Sequence, residues 1–281
     1  MKIFFSDKCL TYSQDGHPES PARVQSTYHF LKDKGYEFIE PEPCSDDDIL
    51  LAHTPALFKS VRKENFFDPD TPSFPGIFDI AKLSAGSAVA AAELCLKGEK
   101  AFSLMRPPGH HAARNALGGF CYFNNIAIAS LKVKKDAGKV AVIDFDCHHG
   151  NGTEDILLGR KDFLYLSLHQ SPLYPGTGLV SRDNCINYPL SPDTSPYEYL
   201  FAFQEGLKKV KKFNPDMLAV SAGFDSYRLD PITNLSLEKE TYGEIGSMLS
   251  DMNKPSFAVL EGGYSMDLAG CVYMFLSGFG A

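Results

Sequence analysis

The apolar run Val140-Ala141-Val142-Ile143 ends abruptly in Asp144-Phe145-Asp146-Cys147-His148-His149-Gly150-Asn151-Gly152. A buried strand cannot carry carboxylates and imidazoles into the interior unless something offsets them, because an unpaired buried carboxylate costs several kcal/mol or more. Groups of this kind normally hold a metal ion or one another. Asp146 and His148 are two residues apart, so on extended backbone their side chains point the same way, and Asp144 shares that parity. The stretch reads as half of a metal site at the mouth of a sheet.

The rest of the chain supplies that sheet. Strand-like runs at Lys2–Ser6, Ala101–Met105, Lys139–Phe145, Phe163–His169, Asp216–Ala222 and Ser256–Glu261 alternate with segments of helical period. Those segments are Pro21–Lys34, Pro55–Glu64, Ile77–Lys97, Asn124–Ala137, Pro196–Phe213, Leu237–Met252 and Asp267–Phe279. Ser20, Thr54 and Ser195 each precede a proline and mark helix starts. Near-continuous apolar strands between helices predict an α/β fold, with a mostly parallel central sheet covered by helices on both faces. A length of 281 residues without linker, repeat or low-complexity tract fits one domain over 1–281.

Composition narrows the function classes. A formal net charge of −8 disfavours a sequence-independent nucleic-acid surface. Lys132, Lys134 and Lys135, and Lys208, Lys209, Lys211 and Lys212, fall near the ends of expected helices, where cations complement the helix dipole. The seven cysteines are scattered and odd in number, which suits reduced thiols and a cytoplasmic location over a disulfide framework. The opening Met1–Asp7 has too short an apolar run for a signal peptide, and no stretch of about 20 uncharged apolar residues predicts a membrane span. Nothing in the sequence fixes an oligomeric state.

In open α/β sheets ligands gather at the carboxyl ends of the strands, and the chemistry-bearing residues fall there. Strand ends lead into Arg106-Pro107-Pro108-Gly109-His110-His111, into the Asp144–Gly152 cluster, to His169, to Gly223-Phe224-Asp225 and to Glu261-Gly262-Gly263-Tyr264. Five of the eight histidines lie between positions 110 and 169. Asp146, His148 and Asp225 form a three-ligand set that leaves a coordination position free, as catalytic zinc does, and that also suits ferrous iron or cobalt. The competing reading is a carboxylate–imidazole network without metal. Tandem histidines after a Pro-Pro-Gly turn suit proton transfer, with Asp144 and Asn151 as candidate orienters of their far ring nitrogens. Tyr264, after two glycines, is placed to donate to a developing oxyanion.

Arg106–His111, Gly119–Asn125, Asp144–Gly152, Ser221–Asp225 and Glu261–Tyr264, with His17–Arg23 before them, resemble the successive motifs of the zinc-dependent histone deacetylase family. That family includes acetoin-utilization proteins and acetylpolyamine amidohydrolases. Asn151 and Asp230-Pro231 resemble its class II branch. The resemblance implies a single-domain arginase/deacetylase-like fold, with zinc on Asp146, His148 and Asp225. It implies His111 as general base and His110, paired with Asp144, as its electrostatic partner, with Tyr264 polarising the acyl carbonyl. Phe120 and Tyr174 match the aromatic walls of an acyl-lysine tunnel, Tyr174 standing where phenylalanine is more usual, with Gly119 and Gly263 beside the substrate. Asp70 matches a rim carboxylate, and Arg23 a buried arginine near an internal channel. Asp144, Asp146, His148, Ser167 and Leu168 match a structural potassium site.

The expected activity is deacetylation of lysine side chains in a peptide or protein. The alternative is a small acetylated amine such as an acetylpolyamine, and a third reading is a non-catalytic acyl-lysine binder. The binder would have lost a ligand, the paired histidines or Tyr264, all of which are present. A binuclear manganese hydrolase would need a fuller double set of ligands. The clipped segment Gln170–Leu173 predicts a more open mouth.

Overall fold

A computed structural model describes residues 1–280. In chain order the elements are β1 (Lys2–Phe4), α1 (Pro21–Asp33), β2 (Glu37–Ile39), α2 (Asp46–Ala52), α3 (Pro55–Arg62), α4 (Ile77–Cys95), β3 (Ala101–Ser103) and α5 (Asn125–Ala137). They continue through β4 (Val140–Asp144), α6 (Asn151–Leu157), β5 (Phe163–Gln170), β6 (Cys185–Leu190), α7 (Pro196–Phe213), β7 (Met217–Ala222), α8 (Lys239–Ser250), β8 (Ser256–Leu260) and α9 (Leu268–Phe279). A short 3-10 helix spans Asp7–Leu10.

The strands form one eight-stranded sheet in the order β2-β1-β3-β8-β7-β4-β5-β6, and every pairing is parallel. All residues of β4, β5, β7 and β8 are buried, which is why each of those strands reads as a near-continuous apolar run. Helices α4, α5 and α6 lie against the strands, α4 on β3 and β8, α5 on β4 and β7, and α6 on β5. The Ala-rich α4 buries small residues such as Ala85, Ala88 and Ala92 completely, so its backbone packs close to the sheet. α7 packs on β5 and β6 and also touches α8, which pairs with α9, and α9 with α1. The aromatic cluster Phe145, Phe224, Tyr242 and Phe275 joins these helices to the strand ends.

Besides the 3-10 helix, two strands and two helices go beyond those that the sequence pattern predicts. β2 and β6 are the two edges of the sheet. β2 has three residues, two exposed and one half-buried, and β6 carries Pro189, which an edge strand tolerates. α2 opens on three aspartates behind the capping serine Ser45, and α6 contains Asn151, Gly152 and Thr153, poor helix formers. Of the three expected N-caps, Thr54 and Ser195 accept from the backbone N–H groups of Leu57 and Glu198, whereas Ser20 makes no side-chain capping bond.

One ionic core fixes the N-terminal segment beneath the carboxyl end of β3. Arg106 is fully buried and donates to both carboxylate oxygens of Glu19 (2.7 and 2.6 Å), to the carbonyls of Cys9 and Tyr12, and stacks 3.7 Å over the Tyr12 ring. Burial works against ionisation of Glu19, but the Arg106 and Arg23 guanidinium charges outweigh it and hold its carboxyl below the usual range. Arg106→Met is expected to lower stability by roughly 3–5 kcal/mol, because it leaves Glu19 buried with half its compensation. Urea unfolding reads this directly, and a loss below about 1 kcal/mol, the worth of a surface pair, would contradict it.

Candidate active site

β4 ends at Asp144, so Asp146 and His148 lie in a bend rather than on extended backbone. Strand parity therefore does not bring them together. Their convergence is made by short-range carboxylate bonds: Asp144 Oδ1 accepts from the Asp146 N–H (3.2 Å), and Asp146 Oδ1 from the His148 N–H (2.9 Å). Asp225 arrives from the end of the adjacent β7, and its Oδ1 accepts from the Cys147 N–H (2.8 Å). Ligand atoms of Asp146, His148 and Asp225 all lie within 4.8 Å of one another, and the three residues are at most 8% exposed.

This donor set fits a divalent cation. Burial, and then the neighbouring Asp146 charge, raise the Asp225 pKa despite His148. Burial also opposes ionisation of Asp146, but His110 and His148 outweigh it and depress its pKa. Burial resists charge on His148 as well, yet Asp225 and Asp146 push its pKa up to about 10. Two carboxylates packed around one imidazole thus draw positive charge inward, a demand that a metal ion meets.

The tandem histidines come from the turn after β3. Glu261, at the end of the adjacent β8, accepts from the N–H groups of Gly109 (2.7 Å) and His110 (3.1 Å) and fixes that turn. His110 Nδ1 faces Asp144 Oδ2 at 3.0 Å, and His111 Nδ1 faces Asn151 Oδ1 at 2.8 Å. Burial disfavours the cationic form of both. For His110, Asp146 and Asp144 outweigh burial and push its pKa up to about 10. For His111, burial is joined by the positive charges of His110 and His148, which drive its pKa well below the ordinary value. The two sequence neighbours are thus shifted in opposite directions by their different partners.

A cavity of about 250 Å³ opens onto this centre, lined by Asp70, His111, Gly119, Phe120, His148, Leu173, Tyr174, Ile232 and Tyr264. Gly119 has φ +56, and a Cβ there would lie 2.5 Å from the His111 ring, so a side chain is excluded. Phe120 itself has φ +69, an unusual backbone for a bulky residue, and its N–H donates to Thr71 Oγ1. Tyr174 is 45% exposed and meets His111 edge-on at 5.1 Å. Gly263 is not among the lining residues: its carbonyl turns away to accept from Arg23 Nε at 2.6 Å. Arg23 is buried, also donates to the Glu261 carbonyl, and lies 4.6 Å over the Tyr264 ring. Asp144 and Ser167 are ladder partners on β4 and β5, and Leu168 follows on β5. Ser167 Oγ is hydrogen-bonded to His169 Nδ1 at 2.9 Å.

Two contributors have no role assigned at the level of sequence. Glu261 is fully buried, and its position at a strand end is the same signal that marks Asp144. Tyr165 Oη donates to Asp144 Oδ2 (2.9 Å) and to the Gly150 carbonyl (3.2 Å), a partnership across strands that no local pattern carries. The cradle around the ligands is equally tight. The Gly262 N–H donates to Asp146 Oδ2 at 2.7 Å, and a Cβ at Gly262 would lie 2.6 Å from carboxylate oxygens of both Asp146 and Asp225. Gly262→Ala is expected to lower zinc affinity by at least about 10-fold, the size of effect seen when groups that orient ligands are disturbed. Competition against a chromogenic chelator measures it, and unchanged affinity would show that Asp146 and Asp225 do not bind the ion.

Among the described residues, no helix is long and apolar enough to cross a membrane, and the seven cysteines are buried free thiols. Residues 17–278 match the histone deacetylase domain. A probable deacetylase of Methanothermobacter thermautotrophicus is 37% identical over 96% of this chain and 87% of its own length. An acetylpolyamine amidohydrolase of Burkholderia pseudomallei is 38% identical over 70% of this chain and 62% of its own. The crystal structure of acetylpolyamine aminohydrolase from Burkholderia pseudomallei superposes with a TM-score of 0.94 at 28% identity, covering 100% of this chain and 99% of that one. The strand-end constellation and these matches agree: the chain belongs to the histone deacetylase family and is an enzyme of the deacetylase and amidohydrolase kind.

Proposed function

We propose that this protein hydrolyses the acetyl amide of a small cationic amine, such as an acetylated polyamine, in a metal-dependent reaction. The observation that carries the substrate reading is the charge of the mouth. Asp70 lines the cavity, and no lysine or arginine does. Asp68 stands close by: the point where a Gly118 Cβ would sit is 3.5 Å from both Asp68 Oδ2 and the Tyr174 hydroxyl. A free ammonium group on the substrate meets an acidic rim there. The sequence expectation puts acyl-lysine first; the acetylpolyamine relatives support the small amine ahead of it. Acyl-lysine in a peptide is the second reading, favoured by the half-exposed Tyr174, which leaves the mouth accessible.

Asp146, His148 and Asp225 would hold the metal, zinc or ferrous iron, which when bound supplies Lewis-acid polarisation of the carbonyl and a lower pKa for water. The Asn151 amide oxygen fixes the His111 proton on Nδ1. That leaves Nε2 as an acceptor, and His111, unlike His110, lines the cavity. His111 takes the proton from the attacking water and passes it to the leaving amine. His110, held as the cation by Asp144 and Asp146, keeps His111 neutral in the resting state. Tyr264 donates to the carbonyl oxygen as negative charge develops on it. The same reading places a potassium ion with Asp144, Asp146, His148, Ser167 and Leu168, supported by the adjacency of Asp144 and Ser167.

The test compares kcat/KM for an acetylated polyamine and an acetyl-lysine peptide on the metal-loaded enzyme. The polyamine is expected to be preferred, and Asp70→Asn to erode the preference by about 5-fold, the worth of one exposed charge pair. Equal rates unaffected by Asp70→Asn would overturn the substrate reading. His111→Ala, with its metal confirmed by elemental analysis, is expected to lose about 100-fold or more in turnover, and wild-type turnover would remove its assigned role.

A further inference from the structure

We propose that Asp230 is a positioning residue for Tyr264, setting the place of the phenol through the main chain. This rests on the reading of Tyr264 as the group that polarises the substrate carbonyl. Asp230 lies in the loop after β7, is 7% exposed, and is anchored by its own N–H to the Tyr227 carbonyl at 2.8 Å. Its two carboxylate oxygens are divided between two backbone donors. Oδ2 accepts from the Tyr264 N–H at 2.7 Å, and Oδ1 accepts from the Ile232 N–H at 3.1 Å. Tyr264 and Ile232 both line the cavity, so one buried side chain ties two of its walls together.

The need for such an anchor follows from the local backbone. Tyr264 lies between β8 and α9, outside both, and follows Gly262-Gly263, with Gly263 at φ +117. Two glycines in succession leave the peptide carrying the phenol with more conformational freedom than any other pair. Arg23 restrains the far side of that segment, holding the carbonyls of Glu261 and Gly263 and covering the Tyr264 ring. Asp230 holds the N–H of Tyr264 itself. A displacement of about 1 Å at a catalytic group is enough to cost up to 100-fold in rate, so loss of this bond is expected to appear in turnover.

Asp230→Asn keeps an oxygen for one N–H but presents an amide N–H₂ to the other. The prediction is a fall in kcat of about 10-fold or more with KM little changed and metal content intact. The decisive experiment is a double-mutant cycle with Tyr264→Phe. If Asp230 acts through the phenol, Asp230→Asn costs little further in the Tyr264→Phe background. A penalty that persists in full there, or wild-type kcat in the single variant, would overturn the proposal. Wild-type kcat in Tyr264→Phe alone would instead overturn the role given to Tyr264. Should Asp230→Asn fail to fold, Asp230→Glu, which keeps the carboxylate and shifts its oxygens, enters the same cycle with the same expected outcome.

Discussion

The constraint on which this structure depends is the burial of three carboxylates, Asp144, Asp146 and Asp225, at the carboxyl ends of two adjacent strands, each with 0% exposure. At such depth every one of them needs compensation, and the fold is arranged to provide it. His110 answers Asp144 and Asp146, and His148 stands between Asp146 and Asp225. Backbone N–H groups of Asp146, Cys147, His148 and Gly262 fill further acceptor positions. The charge left over makes the site fit for a cation, and the same fields push the pKa values of two adjacent histidines in opposite directions.

A second tier of buried charge holds the first in place. Glu261 grips the turn that carries His110 and His111, while Glu19, between Arg106 and Arg23, ties the N-terminal segment to the end of β3 and to the Tyr264 loop. These groups touch no ligand atom. Their removal would disturb geometry that catalysis needs to within fractions of an ångström. The adjacency of β3, β8, β7, β4 and β5 makes this possible with few residues, because five consecutive strand ends deliver the parts to one spot.

What is legible in the sequence follows physical lines. Fully buried central strands are apolar throughout and announce themselves, whereas β2 and β6, half solvated at the edges, carry no such pattern. Charged residues at the ends of apolar runs point to the candidate metal set and to the histidine pair, since polar groups there demand an explanation. The backbone that brings Asp146 and His148 together is not the extended one their spacing suggests, because a bend pinned by carboxylate bonds shares that spacing with a strand. Tyr165 and Asp230 act across the fold, on Asp144 and on Tyr264, and such pairings have no signature in local sequence. Nor does local sequence show that the Gly263 carbonyl accepts from Arg23, 240 residues away.

The claim that the buried carboxylates exist to hold a catalytic cation is tested most directly by crystallography of the zinc-loaded protein, with anomalous differences measured on both sides of the zinc edge. One strong peak is expected within coordination distance of Asp146, His148 and Asp225, at about 2.0–2.2 Å from their ligand atoms. A zinc-loaded crystal with no peak there, or with its peak among other residues, would contradict it.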